Sequence, residues 1–157
     1  MNNINTQSLI RVKNELKRHN LEDRIIILDH EVRTARETAK ALRVEINQIA
    51  KTVLCLVDEE PLLVITSGNQ YVDLNQIAIL LNAKKVKVAA RDVVFQISGF
   101  DFDGVSPCGS QTKIKVLVDK RLDNGQDLFA AAGTNRSVFK ISFIELLDLL
   151  KGNVSVF

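Results

Sequence analysis

The sequence predicts a single α+β domain in which helices surround a mixed β-sheet or a partly closed barrel. The chain has 157 residues, 46% of them hydrophobic and 25% charged, which is enough for one hydrophobic core. Short β-branched runs alternate irregularly with amphipathic segments that begin at helix-capping residues. We find no internal repeat, low-complexity tract or linker, so residues 1–157 are expected to form one domain.

Amphipathic spacing and capping residues predict the helices. The first helix spans about residues 6–20, and its inner face is predicted to carry Leu9, Ile10, Val12 and Leu16. Four further helices are predicted at 34–42, 74–81, 91–97 and 142–150. The second and the last open with capping boxes at Thr34–Glu37 and Ser142–Glu145, Asp73 caps the third, and the last ends at Gly152.

Runs of β-branched and other apolar residues predict the strands. They lie at 24–29, 49–57, 62–66, 85–89, 114–118, 127–132 and 137–141. The turn at 58–61 joins the second and third strands into a hairpin.

Composition excludes several classes of function. The formal net charge is +2, too small to indicate nucleic-acid binding by itself, although lysines cluster at 84–87 and 113–115. Two distant cysteines form no disulfide framework, and two scattered histidines favour no metal site. Cys55 is expected in the core, whereas Cys108 lies in a Pro/Gly loop and is a candidate for exposure.

No apolar run reaches the length of a membrane span, and the polar N-terminus lacks a signal region, so a cytoplasmic location is expected.

Lys51 is unusual because it begins a strand that is apolar on both faces. It shares one face with Ile49, Val53 and Cys55, and burying an unpaired ammonium group is costly. Lys51 therefore needs a route to water, an anionic partner or a functional role.

Two glycine-bearing loops are candidates for a ligand site. Gly104–Gly109 combines glycines with Pro107, and its backbone N–H groups suit an oxyanion-type site. Taken alone, this loop is better explained as a connecting turn. The second loop, Gly133-Thr134, offers an N–H group and a hydroxyl but lacks the spacing of a phosphate-binding loop.

The order of several motifs is more specific than any one of them. In sequence they are T-A-x-x-x-A-x-x-L-x-V-x-x-x-Q-I-A-K-T, L-V-I-T-S-G-N-x-x-V-D-L, A-K-K-V-K, S-G-F-x-x-x-G-V-S-P-C-G and A-A-A-G-T-N-x-x-V-F-K-I-S. From about residue 24 to 150 the chain resembles the YbaK/EbsC family of aminoacyl-tRNA editing domains, which is related to the editing insertion of bacterial prolyl-tRNA synthetases.

The resemblance implies hydrolysis in trans of the ester between a wrong, small amino acid (alanine, cysteine or serine) and its tRNA. Lys51 would meet the ester carbonyl or a terminal phosphate, and water would be the nucleophile, without a protein general base. No metal, cofactor, membrane or DNA is implied, and a synthetase is a possible partner. The roles implied are catalytic for Lys51, Gly104, Ser106 and Pro107, and substrate-binding for Thr34, Ser67, Gly109, Gly133 and Thr134. His30 is a further substrate-binding candidate, although a surface histidine beside a capped helix start is the simpler interpretation. Charge favours Lys84, Lys85 and Lys87, or Lys113 and Lys115, for binding tRNA.

Three positions depart from the family pattern. Asp103 stands where many relatives have glycine, Ser110 where many have histidine, and Asn135 where proline is common. Asp103 places a negative charge near the expected oxyanion, which favours an alternative function: a module that binds tRNA ends, nucleotides or amino-acid derivatives without hydrolysis. With one tyrosine and no tryptophan, the composition predicts no aromatic platform for stacking bases. Recognition of the terminal adenosine is then expected to depend on apolar packing and backbone hydrogen bonds.

Overall fold

The computed structural model describes residues 3–151 and 154–157, which confirm the predicted α+β class. The helices are α1 (Asn3–Lys17), α2 (Ala35–Leu42), α3 (Leu74–Leu80), α4 (Arg91–Ser98) and α5 (Phe143–Leu149). The strands are β1 (Ile25–Ile27), β2 (Ile49–Val57), β3 (Glu60–Ser67), β4 (Val86–Val88), β5 (Lys115–Val118), β6 (Leu128–Ala131), β7 (Ser137–Ile141) and β8 (Val154–Val156).

All eight strands belong to one mixed sheet. Its order is β1-β7-β6-β2-β3-β5-β8, and β4 pairs additionally with β2. The β2/β6, β3/β5 and β5/β8 pairs are parallel, and the remaining pairs are antiparallel. Strands β1 and β8 are at the two ends of this order, so the sheet is open, in agreement with the expectation of a barrel that closes only in part.

The central hairpin has a tighter turn than predicted. Asp58 and Glu59 both have positive φ, 47° and 71°, and alone connect β2 to β3. Two consecutive positive φ values suit the twist of a two-residue hairpin. Pro61 consequently lies in β3, where it is in register with Leu56.

The first helix ends earlier than predicted but buries Val12 and Leu16 as predicted. It stops at Lys17, before Asn20 turns the chain with a φ of 58°. Ile10 is 49% exposed, so its predicted inward position is wrong. Ser8 is buried instead, and its hydroxyl donates to the carbonyl of Gly99 at 3.0 Å.

The predicted helix caps are confirmed to different extents. At Ser142 both hydrogen bonds of the capping box form with Glu145. The Thr34 hydroxyl accepts from the N–H of Glu37 at 3.1 Å, but the Glu37 carboxylate accepts from the N–H of Arg33 at 2.8 Å. The box at Thr34 is therefore only half formed.

The C-terminal residues form a strand that the sequence pattern did not predict. The three residues of β8 pair in parallel with β5. Helix α5 ends at Leu149, and Gly152, its predicted end point, lies outside the described residues.

The main core lies between the sheet and helices α1, α4 and α5, and it includes Cys108. Cys108 is only 8% exposed, so its predicted candidacy for exposure is wrong. Burial raises the pKa of Cys108 to about 12 and that of Cys55 to about 11. Among residues 3–151 and 154–157, no helix is long and apolar enough to cross a bilayer.

Candidate functional site

Two different strands, β6 and β4, pair with opposite ends of the same edge of β2, and the gap between them forms a cleft. β3 borders β2 from Ala50 to Val57 on one side. On the other side, β6 pairs only with residues 49–50 and β4 only with residues 55–57. Among the described strands, none is in register with residues 51–54 on that side, and a cavity of about 860 Å³ opens there.

Six segments line the cavity. Residues 51–54 of β2 form its floor, and the others contribute walls of mixed polar and apolar character. These walls come from residues 32–38 at the start of α2, 68–72 after β3, 88–94 at β4 and α4, 102–105 in the Gly/Pro loop, and 129–138 around the β6–β7 turn.

Lys51 lies at this cleft as a cation without a carboxylate partner. Its ammonium donates to the carbonyl oxygen of Gln70 at 2.6 Å and lies 5.5 Å from the centre of the Tyr71 ring. None of the ion pairs among the described residues includes Lys51. Partial burial lowers the pKa of Lys51. A partly desolvated cation held by neutral groups can bind a substrate anion or polarise a carbonyl.

A buried acidic residue stabilises the loop that holds Lys51. The Asp119 side chain is 3% exposed and accepts hydrogen bonds from Thr66 at 2.9 Å and from Arg121 at 2.6 Å. Arg121 also donates to the side-chain oxygen of Gln70 at 2.8 Å. Burial alone would raise the pKa of Asp119, but the hydrogen bonds from Arg121 and Thr66 lower it below its ordinary value. Gln70, which accepts the hydrogen bond from Lys51, is thus held through Arg121 by the buried Asp119.

The floor of the cleft offers unpaired polar groups at Thr52. Its hydroxyl oxygen is buried and has no hydrogen-bond partner among the described residues. The carbonyl of Ile49 accepts from Gly68 on the β3 side, and that of Leu54 accepts from Ala89 on the β4 side. Because backbone direction alternates along a strand, the N–H and C=O of Thr52 face the cavity.

The two predicted glycine loops meet behind the cavity wall. A Cβ on Gly104 would lie 2.8 Å from both Cα and the carbonyl carbon of Thr134, so only glycine permits this approach. The Thr134 hydroxyl lies 2.7 Å from that of Ser137. Next to Gly104, the side chain of Asp103 lines the cavity, is 14% exposed and lies 3.5 Å from the guanidinium of Arg91.

The predicted site residues fall into two groups. Lys51, Thr34 and Thr134 line the cavity, and Gly104 is packed directly behind its wall. Ser106 and Pro107 are buried outside the lining, and the N–H of Cys108 donates to the Ser106 hydroxyl at 3.4 Å.

Gly109 and Gly133 lie where α1 crosses the loops. A Cβ on Gly109 would lie 2.9 Å from the backbone of Val12, and one on Gly133 would lie 2.8 Å from the carbonyl oxygen of Ser8. Both have positive φ, 84° and 96°. Close helix packing therefore accounts for these two glycines, and neither lines the cavity.

Ser67 and His30 are also outside the lining. The Ser67 hydroxyl donates to the side chain of Asn69 at 2.7 Å, which shapes the 68–72 wall. His30 is exposed.

The five lysines predicted to bind tRNA do not line the cavity. Lys87 pairs with Glu59 at 3.2 Å, while Lys84, Lys85, Lys113 and Lys115 are exposed. The cations that do line it besides Lys51 are Arg33 and Arg36, at the start of α2.

Several lining or supporting residues were missed from the sequence. They are Thr52, Gln70, Tyr71, Asp119 and Arg121, together with Arg33, which precedes α2, and Arg36, in its first turn. Thr52 and Gln70 are adjacent to predicted residues or motifs, which is a usable signal. Nothing in the local pattern distinguishes Asp119 and Arg121 from ordinary surface charges.

Comparison with known proteins gives consistent results. The family model described as "Aminoacyl-tRNA editing domain" matches residues 29–149. The chain is 29% identical over 152 residues to the proline–tRNA ligase of Listeria innocua, and 24% identical over 145 residues to that of Pediococcus pentosaceus. These matches cover 90% of this chain but only 27% and 25% of the ligases, so the chain spans about a quarter of their length.

A solved structure is similar over nearly the whole fold. It belongs to a protein proposed as a trans-editing enzyme for prolyl tRNA synthetase, with a TM-score of 0.85 and 29% identity. The match covers 95% of each chain.

Proposed function

Because the chain belongs to the aminoacyl-tRNA editing domain family, we propose that it hydrolyses in trans the ester bond of tRNA carrying a wrong, small amino acid. The observation that carries the proposal is Lys51, a partly buried ammonium group in the cleft that has no carboxylate partner among the described residues. Alanine, cysteine and serine are the proposed substrates. The printed description of the similar trans-editing protein supports the assignment to editing.

In the proposed reaction, water attacks the ester carbonyl carbon and forms a tetrahedral intermediate. Lys51 stabilises the negative charge that develops on the carbonyl oxygen or binds the adjacent phosphate. The carbon–oxygen bond to the ribose then breaks, the ribose oxygen takes a proton, and the amino acid leaves as a carboxylate. A hydroxyl of the terminal ribose orients the water, so the protein contributes positioning and electrostatics rather than a general base.

The walls have proposed roles in recognition. Thr52 offers its backbone N–H and carbonyl to the polar atoms of the substrate. Arg33 and Arg36 lie where they can attract the phosphates of the acceptor end, and the exposed lysines add a longer-range attraction to tRNA. The loop from Gly104 to Gly109 is proposed to shape the wall near the ester, with Ser106 and Pro107 stiffening it from behind.

The reaction as proposed requires no metal or cofactor, because Lys51 supplies the positive charge. The proposed tRNA substrate is the basis for proposing a cytoplasmic location. Prolyl-tRNA synthetase is the proposed partner, since the curated relatives are proline–tRNA ligases.

The test is a deacylation time course with alanyl-, cysteinyl-, seryl- and prolyl-tRNA. We expect the wild type to release one or two of these amino acids. Lys51→Ala and Lys51→Met should lower kcat by roughly 10²- to 10³-fold, as removal of an oxyanion donor does. Met keeps the aliphatic stem, so equal loss in both variants isolates the charge, and Lys113→Ala is the matched surface control. Release of amino acid by Lys51→Met at the wild-type rate would contradict the role of Lys51.

Asp103 supports a second candidate, a binding module without hydrolysis. Its carboxylate lines the cavity beside the Gly/Pro loop, and among the described residues its ion pair is a 3.5 Å contact with Arg91. Such a module would bind tRNA yet release no amino acid from any member of the panel. Asp103→Gly is the informative variant in that case, since gain of hydrolysis would identify the carboxylate as the inhibiting group.

A further inference from the structure

Tyr71 is the only tyrosine of the chain, and its position is unusual for an aromatic residue. It lines the cavity and is 92% exposed. Leaving a large ring in water forgoes the stabilisation that burial would give. The fold therefore does not account for this ring, and its place at the cleft points to a ligand.

A second aromatic residue lies on another wall of the same cavity. Phe102 is 38% exposed, and the guanidinium of Arg91 lies 4.6 Å from the centre of its ring. Aromatic rings next to cations are the usual surfaces for unstacked bases, because a base has a π-face and a nearby phosphate.

Lys51 links Tyr71 to the chemistry of the cleft. The ammonium group lies 5.5 Å from the centre of the Tyr71 ring, while the ring remains almost fully accessible. A nucleoside whose base stacks on Tyr71 would therefore have its ribose and ester close to Lys51.

We propose that Tyr71 is the stacking surface for the terminal adenine of the acceptor end, with Phe102 and Arg91 contacting the neighbouring nucleotide. This inference rests on the proposed function and specifies how the substrate is held. It differs from the expectation drawn from composition, because one tyrosine suffices when it is exposed beside the reacting group.

The decisive experiment compares uncharged tRNA ending in CCA with the same tRNA lacking its terminal adenosine. We expect wild-type protein to bind the CCA end more tightly, by about 5- to 140-fold, the range for loss of one base–aromatic stack. Tyr71→Ala and Tyr71→Leu should lose this preference, whereas Tyr71→Phe should keep it. Leu retains apolar bulk without a π-face, so the comparison isolates stacking.

Fluorescence provides an independent readout. With one tyrosine and no tryptophan, the intrinsic emission comes from Tyr71 alone. The trinucleotide CCA should quench this emission. A control solution that contains free tyrosine and the Tyr71→Phe protein measures how much of the decrease comes from light absorbed by the nucleotide.

Parallel deacylation assays separate this inference from the proposed function. If wild-type protein hydrolyses its substrate, Tyr71→Ala should raise KM by a similar factor with kcat little changed. The stacking role would be overturned if Tyr71→Ala hydrolysed the substrate with the wild-type KM and preferred the CCA end as strongly as the wild type does. The proposed editing activity would then still stand. If no substrate is hydrolysed but the preference for CCA still depends on Tyr71, stacking stands and the proposed hydrolysis fails.

Discussion

Replacing Gly104 with alanine tests whether contact between the two glycine loops holds the cavity wall in place. The added Cβ would lie 2.8 Å from two backbone atoms of Thr134, whereas ordinary contacts begin at 3.4 Å. The loops must therefore separate by about 0.6 Å. The φ of Gly104 is outside the left-handed region, so the perturbation is steric rather than conformational.

Overpacking of this kind costs about 1–3 kcal/mol. For a domain of this size, the thermal midpoint should fall by roughly 2–12 °C. Because Asp103, Val105 and Thr134 line the cavity on either side of the contact, kcat/KM for deacylation should also fall, by roughly tenfold.

Circular dichroism melts and the deacylation time course measure the two effects. Gly125→Ala is the matched control, since Gly125 has a φ of +77° but nothing within 4 Å of its would-be Cβ. That variant should lose stability through backbone strain, by about 1–2 kcal/mol, with kcat/KM unchanged. Unchanged melting and activity in Gly104→Ala, or an equal loss of activity in Gly125→Ala, would refute the reasoning.

Two further predictions concern titratable groups in the core. Asp119→Asn should destabilise the fold at neutral pH by roughly 1.5–3 kcal/mol, because charge-assisted hydrogen bonds are lost. Folding lowers the pKa of Asp119, so the extra stability of the wild type over Asp119→Asn is complete above the ordinary pKa of 3.8 and should vanish as pH falls through the lower pKa of the folded state. If urea denaturation gave the same difference in unfolding free energy at every pH, this prediction would be contradicted. Cys108 and Cys55, with raised pKa values, should resist a thiol reagent at pH 8 and react only in denaturant, so rapid native labelling would show that the core opens.

Local signals were sufficient to predict most of the fold. The β2–β3 hairpin and the caps at Asp73 and Ser142 depend on residues close in sequence, and all three are present. Strand β8 was missed because its three residues become a strand only through parallel pairing with β5, more than thirty positions earlier in the chain.

The site was harder to predict than the fold. Lys51 was identifiable because a charge within an apolar strand requires an explanation. Gly109 and Gly133 look the same in sequence whether a ligand or a helix backbone approaches them, and the structure places α1 there. The clustering of lysines in the sequence led to the prediction that Lys84 and Lys85 bind tRNA. Arg36 lines the cavity because of the fold, and no local sequence pattern indicates this.

The cleft floor at Thr52 has an evolutionary consequence, because much of its hydrogen-bonding capacity comes from the main chain. The amide N–H and C=O there are present whatever side chain occupies the position, as long as it is not proline. Mutations can therefore remodel the walls, and with them the shape of the cavity, while the edge of β2 continues to present the same donor and acceptor. A single substitution in a wall can thus change the size or polarity of the cavity and leave the main-chain donor and acceptor of its floor in place.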